Sequence, residues 1–394
     1  MDFYEPSGDD SEVEISHALQ EDRNMLSKGK QAVGLARDYV PGWTSRDGFR
    51  EFFQNWIDGI VESRKISPRS VSITVKDSVE EWIATAHPHG SDEVLGFIRF
   101  RKTKGYLELT NLKAQLSRKS LDLGASSKCN ADSLAGTHGE GFKVASLVMV
   151  RKGHQVRYES AQYYWSFQFG GRDKNHLYCH LAPMKDTKVT SAMLRDSQRI
   201  AAGRARELKS NIWEDVSVKI GRVYNSNGKM IDFATFQDWI KVSFLLNRPA
   251  NTINTLHGDL VLDLEFSNRV FLKGLYLGDS TTYKKLRFGY NFLTGDINRD
   301  RQRLTNPDEE ASLLTGIWAE AISRNEDALK EYVKMLREDD EKHWADINLA
   351  NDKLTSATTQ KIWEYLKRQD PERNSFFYYT KTQEQIYNFS FYQY

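Results

Sequence analysis

The stretch "EFFQNWID", Glu51 to Asp58, has the apolar spacing of a helix and a polar stripe along one side. Glu51, Asn55, Asp58 and Glu62 stand at i, i+4, i+7 and i+11, so they project from one face. A solvated face more often alternates Glu with Lys or Arg, so an amide between carboxylates indicates a functional site. A solvated stripe with an incidental amide is the alternative. The other sides carry Phe52, Phe53, Trp56 and Ile60.

A second motif, "GTHGEGFK" from Gly136 to Lys143, contains three glycines spaced as GxxGxG. The apolar run "FKVASLVMVRKG" that follows predicts a short buried helix beginning where the glycines end. The first N–H groups of a helix have no partner and lie at the positive end of its dipole, so an anion can bind there. Glycine lets the main chain approach such an anion closely. Taken alone, the spacing also fits a tight turn.

The chemistry of nucleotide hydrolysis has a use for both motifs. Asn55 offers a carbonyl oxygen to Mg²⁺, an ion that keeps several waters and bridges phosphates. Glu51, one turn earlier, can accept a proton from the attacking water or hold that water in line. Asp58, one turn later, is positioned to accept hydrogen bonds from the nucleotide base or a bound water.

Together, in this order and with this separation, the two motifs resemble those of the GHKL ATPases. This group has the Bergerat nucleotide fold and includes gyrase B, MutL, the ninety-kilodalton heat-shock chaperone, MORC proteins and histidine kinases. The resemblance covers residues 30–170. It implies that Glu51 is catalytic, that Asn55 holds the magnesium ion, and that Gly136, Gly139 and Gly141 bind ATP.

One neighbouring segment extends the resemblance, and another departs from it. "LGASSK", residues 123–128, is similar to the lid segment of MutL and MORC members, which implies that Ser127 and Lys128 stand near the phosphates. Lys143 is expected to help neutralise phosphate. The family's DxGxG is absent, because the corresponding strand ends "LELTNLKAQL". Asn111 keeps an acceptor oxygen that can contact adenine, and the selectivity for the base stays open.

The second half contains "FGYNFLTGDINRDRQRL", residues 288–304, after two apolar strands. This order resembles the middle domain of the heat-shock chaperone, where an NxxR loop presents an arginine to the γ-phosphate. By that spacing, Asn298 is the asparagine of the NxxR pattern and Arg301 is its arginine. Arg299 and Lys285 are the alternatives. A surface salt-bridge cluster is the competing interpretation.

The predicted fold class is α+β: a Bergerat-type GHKL α/β sandwich, a transducer-like α+β domain and a helical carboxyl-terminal region. The predicted domain limits are an acidic lead-in over 1–25, the ATP-binding domain over 26–185, the transducer-like domain over 186–308 and the helical, aromatic region over 309–394. One amphipathic helix is predicted to carry Leu314 through Leu336 on a single stripe. Residues 187–215 also look helical, with Arg195, Arg199 and Arg206 on one side. Acids dilute this basic side, so a solvated face is favoured over a nucleic-acid surface.

Composition limits the other classes of function. The 394 residues are 39% hydrophobic, which is a globular balance, and 55 basic residues nearly cancel 54 acidic ones. No global attraction to nucleic acid or membrane follows. Two cysteines are too few for a disulfide framework, and the acidic amino terminus is unlike a secretory signal, so we expect an intracellular protein, cytoplasmic or nuclear.

The sequence therefore predicts an ATP-binding protein that requires Mg²⁺ and hydrolyses ATP slowly. Closure of the lid is expected to be coupled to dimerisation or to binding of a protein partner. One alternative is a non-catalytic nucleotide-sensing interaction module. Another is a DNA-associated, ATP-gated clamp.

Overall fold

The computed structural model describes residues 29–121, 141–225, 227–279, 285–296, 304, 306–338, 344–350 and 354–369. The chain divides into two compact units, Met1–Ile240 and Lys241–Tyr394. Both combine helices with sheets, so the α+β class is confirmed. No helix within the described ranges is long and apolar enough to cross a membrane.

The first unit is built on a nine-stranded sheet in which every neighbouring pair of strands is antiparallel. The strand order is β1-β8-β7-β6-β9-β5-β4-β3-β2. The strands are β1 (Gly29–Ala36), β2 (Val71–Asp77), β3 (Glu81–Pro88), β4 (Gly96–Arg101), β5 (Tyr106–Asn111), β6 (Gln155–Ser160), β7 (Tyr163–Gly170), β8 (His176–Pro183) and β9 (Val216–Gly221).

Three helices cover one face of this sheet, which we call the inner face. They are α1 (Ser45–Arg64), α2 (Gly141–Arg151) and α4 (Phe233–Ile240). Aromatic contacts fix them there: Phe52 of α1 meets Tyr158 of β6, and Phe236 of α4 stacks on Phe100 of β4 at 4.4 Å. A further helix, α3 (Asp186–Ala201), packs through Val189 near Tyr164 of β7. Strand alternation turns Tyr164 away from the inner face, since its neighbour Trp165 is buried there.

The opposite, outer face carries a row of ion pairs across adjacent strands. Lys219 of β9 lies between Glu108 of β5 and Glu159 of β6, with Nζ to carboxylate distances of 3.9 and 2.9 Å. All three side chains are buried. Burial alone would lower the pKa of Lys219, but the two carboxylates outweigh it and raise that pKa well above its usual value.

β9 joins the first sheet, although the sequence-based division assigned it to the second domain. It pairs with β5 on one side and β6 on the other, in the middle of the sheet. The predicted helix over 187–215 ends at Ala201, and the following loop bends back so that Arg206 reaches Asp215. Local periodicity cannot reveal such a return, because it is set by long-range strand pairing.

The second unit has a five-stranded sheet in the order β10-β11-β14-β12-β13. Only the β12–β14 pair is parallel among the described strands. Helices α5 to α8 pack their apolar side chains against this sheet to form one core. The elements are β10 (Thr252–Asn254), β11 (Gly258–Val261), β12 (Arg269–Leu272), β13 (Leu275–Asp279), β14 (Gly289–Phe292), α5 (Pro307–Arg324), α6 (Glu326–Arg337), α7 (Ala345–Ala350) and α8 (Ser356–Gln369).

The single long helix predicted around Leu314–Leu336 is wrong, because Asn325 separates α5 from α6. Asn325 has extended backbone angles, φ −132° and ψ 120°, and its side chain accepts hydrogen bonds from the amides of Asp327 and Ala328. Asparagine is among the best amino-terminal caps, so it ends one helix and starts the next. The apolar stripe still packs in one core on both sides of the break. The aromatic carboxyl end, 375–394, lies outside the described residues.

Candidate functional site

The polar stripe of α1 is not a solvated face. Glu51 is 1% exposed and Asp58 is 4% exposed, whereas Asn55 is half-buried and only Glu62 is exposed. A buried carboxylate requires charge compensation or hydrogen bonds, so such positions are uncommon unless they serve a purpose. The alternative of an incidental solvated stripe is therefore wrong for Glu51 and Asp58.

α1 begins at a capping box and packs closely on α2. The Thr44 backbone amide and hydroxyl both bind the Asp47 carboxylate at 2.8 Å, which fixes the start of the helix. Gly48 lies against α2, where an added Cβ would be 3.3 Å from Met149 Cε. The missing side chain lets the two helices approach. In α2, Phe142 anchors the first turn against Tyr158 on the sheet.

The two sequence motifs meet where α2 begins. A Cβ built on Gly141 would lie 2.8 Å from Glu51 Oε2 and 3.3 Å from Asn55 Nδ2. The first of these distances is shorter than real Cβ contacts allow, so only glycine fits without a shift. The last glycine of GxxGxG thus faces the carboxylate and amide of the ExxxN stripe.

Hydrogen bonding fixes the orientation of the Asn55 amide. Asn55 Nδ2 donates to the Glu51 backbone carbonyl at 2.7 Å. Because a carbonyl oxygen can only accept, the amide nitrogen must face it. Asn55 Oδ1 is consequently left as the acceptor of the side chain, as a metal ligand must be.

Asn111, at the end of β5, also has a defined orientation. Its Nδ2 donates to the Trp56 backbone carbonyl at 2.6 Å and lies 3.1 Å from the position of a Cβ on Gly59. Oδ1 is therefore its acceptor side. The Trp56 indole donates in return to the Thr110 carbonyl at 2.9 Å, so α1 and the end of β5 are joined in both directions.

Arg50 is a buried charge next to Glu51 that the sequence analysis missed. It is 5% exposed, and its Nε lies 3.6 Å from Glu51 Oε1. Its guanidinium also lies over the Trp43 ring, 5.4 Å from the centroid. Adjacent residues on a helix rarely share a direction, so sequence spacing gave no signal for this pair.

A clamp formed by Arg151 holds the loop that leads into α1. At the far end of α2, its guanidinium donates to the backbone carbonyls of Arg37, Tyr39, Val40 and Trp43, at 2.8 to 3.3 Å. Burial lowers the pKa of Arg151, with a contribution from Arg37. The clamp ties the start of α1 to α2 and so supports the position of Glu51.

Lys143 is fully buried in the first turn of α2. It lies two residues after Gly141, about 200° around the helix, so it occupies another side of α2. Its ammonium is 5.7 Å from the centre of the Phe142 ring. The remaining predicted site residues, Ser127, Lys128, Gly136, Gly139 and Arg301, lie outside the described residues, as does Arg299. Lys285 belongs to the second unit, where its carbonyl accepts from the Ala345 amide.

No cluster of three or more His, Cys, Asp or Glu side chains suited to a metal occurs within the described ranges. Mg²⁺ does not need one, since phosphates and waters usually complete its shell around one or two protein ligands. The described site consists of a buried carboxylate, an oriented amide and a helix start at which glycine lets that carboxylate approach closely.

No protein-family model matches the sequence, and comparison with curated proteins gives no significant match. The interpretation of the site therefore depends on its residues and their geometry.

Proposed function

We propose that the first unit is a GHKL-type ATP-binding domain with a Bergerat fold that binds ATP with Mg²⁺ and hydrolyses it slowly. The observation that carries this proposal is the approach of Gly141 to Glu51 and Asn55. Two motifs about eighty residues apart in sequence converge at the start of a helix, where unpaired N–H groups favour an anion. The resemblance of both motifs to those of GHKL ATPases supports the same assignment.

Glu51 is proposed to orient the attacking water and accept its proton as the γ-phosphoryl group is transferred. Its carboxylate is buried beside the start of α2, and Arg50 at 3.6 Å partly compensates its charge. Catalysis of phosphoryl transfer depends mainly on positioning and electrostatics, so a fixed carboxylate suits this role.

Asn55 is proposed to hold the metal through Oδ1, the acceptor that its hydrogen bond to the Glu51 carbonyl leaves available. Mg²⁺, when bound, would neutralise charge on the phosphates. On the resemblance, the main chain of Gly136, Gly139 and Gly141 would bind phosphate. Ser127 and Lys128 would assist, whereas Lys143 is fully buried on another side of α2 and has no part in the proposal. The contact expected of Arg301 stays a prediction from the sequence.

Asn111 and Asp58 are proposed to contact the base. Asn111 Oδ1 accepts but does not donate, which suits the exocyclic amine of adenine better than the carbonyl of guanine. The nucleotide is therefore proposed to be ATP in preference to GTP.

The test compares phosphate release and ATP binding in Glu51→Gln with those of the wild type. We expect ATP affinity within about threefold of wild type and a loss of at least 100-fold in turnover, the usual scale for a lost general base. Glu62→Gln, on the same helix but exposed, serves as the control and should turn over normally. If wild type and Glu51→Gln release phosphate at the same rate, the catalytic assignment fails.

The same experiment separates the alternatives. ATP binding without turnover in the wild type would favour a non-catalytic nucleotide-sensing module. The DNA-clamp alternative has less support, because Arg199 pairs with Asp196, and Arg206 with Asp215 and Glu214. These pairs reduce the positive charge that a phosphate backbone would require.

A further inference from the structure

The two edges of the first sheet differ in how regularly they present their backbone. At one edge, the register of β1 with β8 shifts between Ala32 and Ala36, and Gly34 between them has a φ of 77°. At the other edge, β2 pairs with β3 without a break from Val71 to Asp77. Bulges, prolines and charges protect an edge strand from pairing with another chain, so β2 is the less protected edge.

The hydrogen bonds at the two ends of β2 show how its backbone is oriented. The Ser70 carbonyl accepts from the His89 amide at 2.7 Å, and the Ser78 amide donates to the Glu81 carbonyl at 2.9 Å. Antiparallel pairs alternate between bonded and non-bonded, so the even-numbered residues of β2 are those that bond to β3. The backbone groups of the odd-numbered residues therefore point away from β3. No strand within the described ranges lies on that side.

The odd-numbered residues form an apolar row along this open edge. Val71 is buried, Ile73 is half-buried and Val75 is 45% exposed. The Val71 amide bonds to the Pro68 carbonyl. Apart from that bond, the outward N–H and C=O groups of the row have no hydrogen bond within the described part of the chain. Residues 71–75 contain no proline and no charge, so this edge can add a further strand.

A second copy of β2 in antiparallel orientation matches this row. With a two-fold axis at Thr74, Ile73 of each copy lies opposite Val75 of the other, and their outward N–H and C=O groups bond to each other. The two Thr74 side chains lie opposite each other at a non-bonded pair. β-Branched pairs and Thr–Thr pairs are among the cross-strand contacts that stabilise sheets.

The charged residues at the end of β2 fit the same register. Lys76 of one copy lies opposite Ser72 of the other, and Asp77 lies opposite Val71. No two like charges are therefore opposed, which would destabilise the pair. An isologous contact of this kind uses the same surface on both copies, as in most two-fold dimers.

We propose that two copies of the chain pair through the open edges of β2 and join their nine-stranded sheets into one continuous sheet. Because each copy offers this edge once, association stops at the dimer. The contact involves no residue of the proposed ATP site, so the dimer forms with or without nucleotide. Two short strands make a small interface, and we expect a weak dimer with a Kd of about 10 to 200 µM.

Sedimentation equilibrium of the full chain, without nucleotide and up to about 400 µM, measures this association. Val75→Pro removes an outward N–H and leaves the bonds to β3 in place, so it should weaken the dimer at least about tenfold. Val75→Thr keeps that N–H and a branched side chain, and it should dimerise as the wild type does. A wild type that stays monomeric over this range would overturn the proposal, as would equal association of Val75→Pro and Val75→Thr.

Disulfide formation tests the register without depending on the proline variant. Opposed residues of a non-bonded pair have Cα atoms about 4.5 Å apart, within the range of a disulfide. Oxidation of Thr74→Cys should therefore yield a dimer joined between the two residues 74, identified by mass spectrometry. Ser72→Cys, on the same face of β2, is the matched control: its two copies stand about 14 Å apart along the strands and should not crosslink. Equal crosslinking of both variants, or none at Thr74→Cys, would refute the β2 pairing.

Discussion

At Gly141 a single absent side chain determines how closely α2 approaches the carboxylate of Glu51. A Cβ at this position would be 2.8 Å from Glu51 Oε2, and α2 cannot retreat freely because Phe142 is packed against Tyr158. The strain of a larger residue would therefore fall on Glu51 and Asn55. Close packing in protein interiors transmits such displacements to neighbouring side chains.

Gly141→Ala should consequently impair the proposed site more than it impairs the fold. We expect the rise in melting temperature caused by ATP with Mg²⁺ to fall by at least half, because displaced Glu51 and Asn55 side chains weaken binding to the native state. Gly42→Ala is the control, since nothing lies within 4 Å of a Cβ there. Equal responses to ATP in the two variants would contradict the role assigned to Gly141.

Asp346 is a buried acid in the second unit with a distinct dependence on pH. Burial raises its pKa to about 6, although hydrogen bonds from Tyr290 and the Arg287 amide oppose the shift. The folded chain therefore binds this proton more tightly than the unfolded chain, whose acid titrates near 4. The contribution of Asp346 to the free energy of unfolding should thus decrease as pH rises from about 4 to about 6.

Urea denaturation of wild type and Asp346→Asn across this pH range checks the sign and size of the change in the free energy of unfolding. The wild type should lose about 2 kcal/mol relative to the variant between pH 4 and pH 6.5, most of the effect of a shift of about two pKa units. Asp327→Asn, on the exposed surface of α6, should show no such difference. A wild type that gains stability relative to Asp346→Asn over this interval would disprove the assignment.

At the scale of elements, the sequence predicts segments with strong local signals. The helix predicted around Glu51–Asp58 is observed over 45–64, and the short buried helix predicted after the glycines is confirmed as α2, which begins at Gly141. The break at Asn325 was not predictable from apolar spacing, because the apolar periodicity continues across the cap. The position of β9 between β5 and β6 was not predictable, since it depends on pairing between residues that are 58 or more positions apart in the sequence.

That placement of β9 creates the ion-pair row around Lys219. Lys219→Met should cost about 3 to 5 kcal/mol of stability, because it leaves the buried Glu108 and Glu159 carboxylates without their shared cation. Chemical denaturation of the variant measures this loss. Lys330→Met is the control: Lys330 contacts Glu326 and Asp327 on the exposed surface of α6, where solvent screens such pairs and they contribute little to stability. Similar losses in both variants would argue against a buried network.

Across the whole molecule, the sequence indicated several side chains that the fold brings together, and their role as a nucleotide site stays a prediction. Glu51 and Asn55 were identifiable because helix spacing places them on one face, and Gly141 because glycines precede a helix. Arg50 and the Arg151 clamp were not identifiable from the sequence, since their contacts depend on which loops and helices meet in three dimensions. The boundary between the two compact units, after Ile240, was not identifiable from the sequence either, because no proline-rich or charged linker marks it.

We propose that this chain binds ATP with Mg²⁺ where α1 and α2 meet. Isothermal titration calorimetry of ATP into the full chain, with Mg²⁺ and with EDTA, tests it most directly. We expect one Mg²⁺-dependent site whose affinity is weakened at least about tenfold, or about 1.4 kcal/mol, in Asn55→Ala and unchanged in Glu62→Gln. An absence of ATP binding by the wild type at millimolar nucleotide with Mg²⁺, or equal affinity in Asn55→Ala, would contradict it.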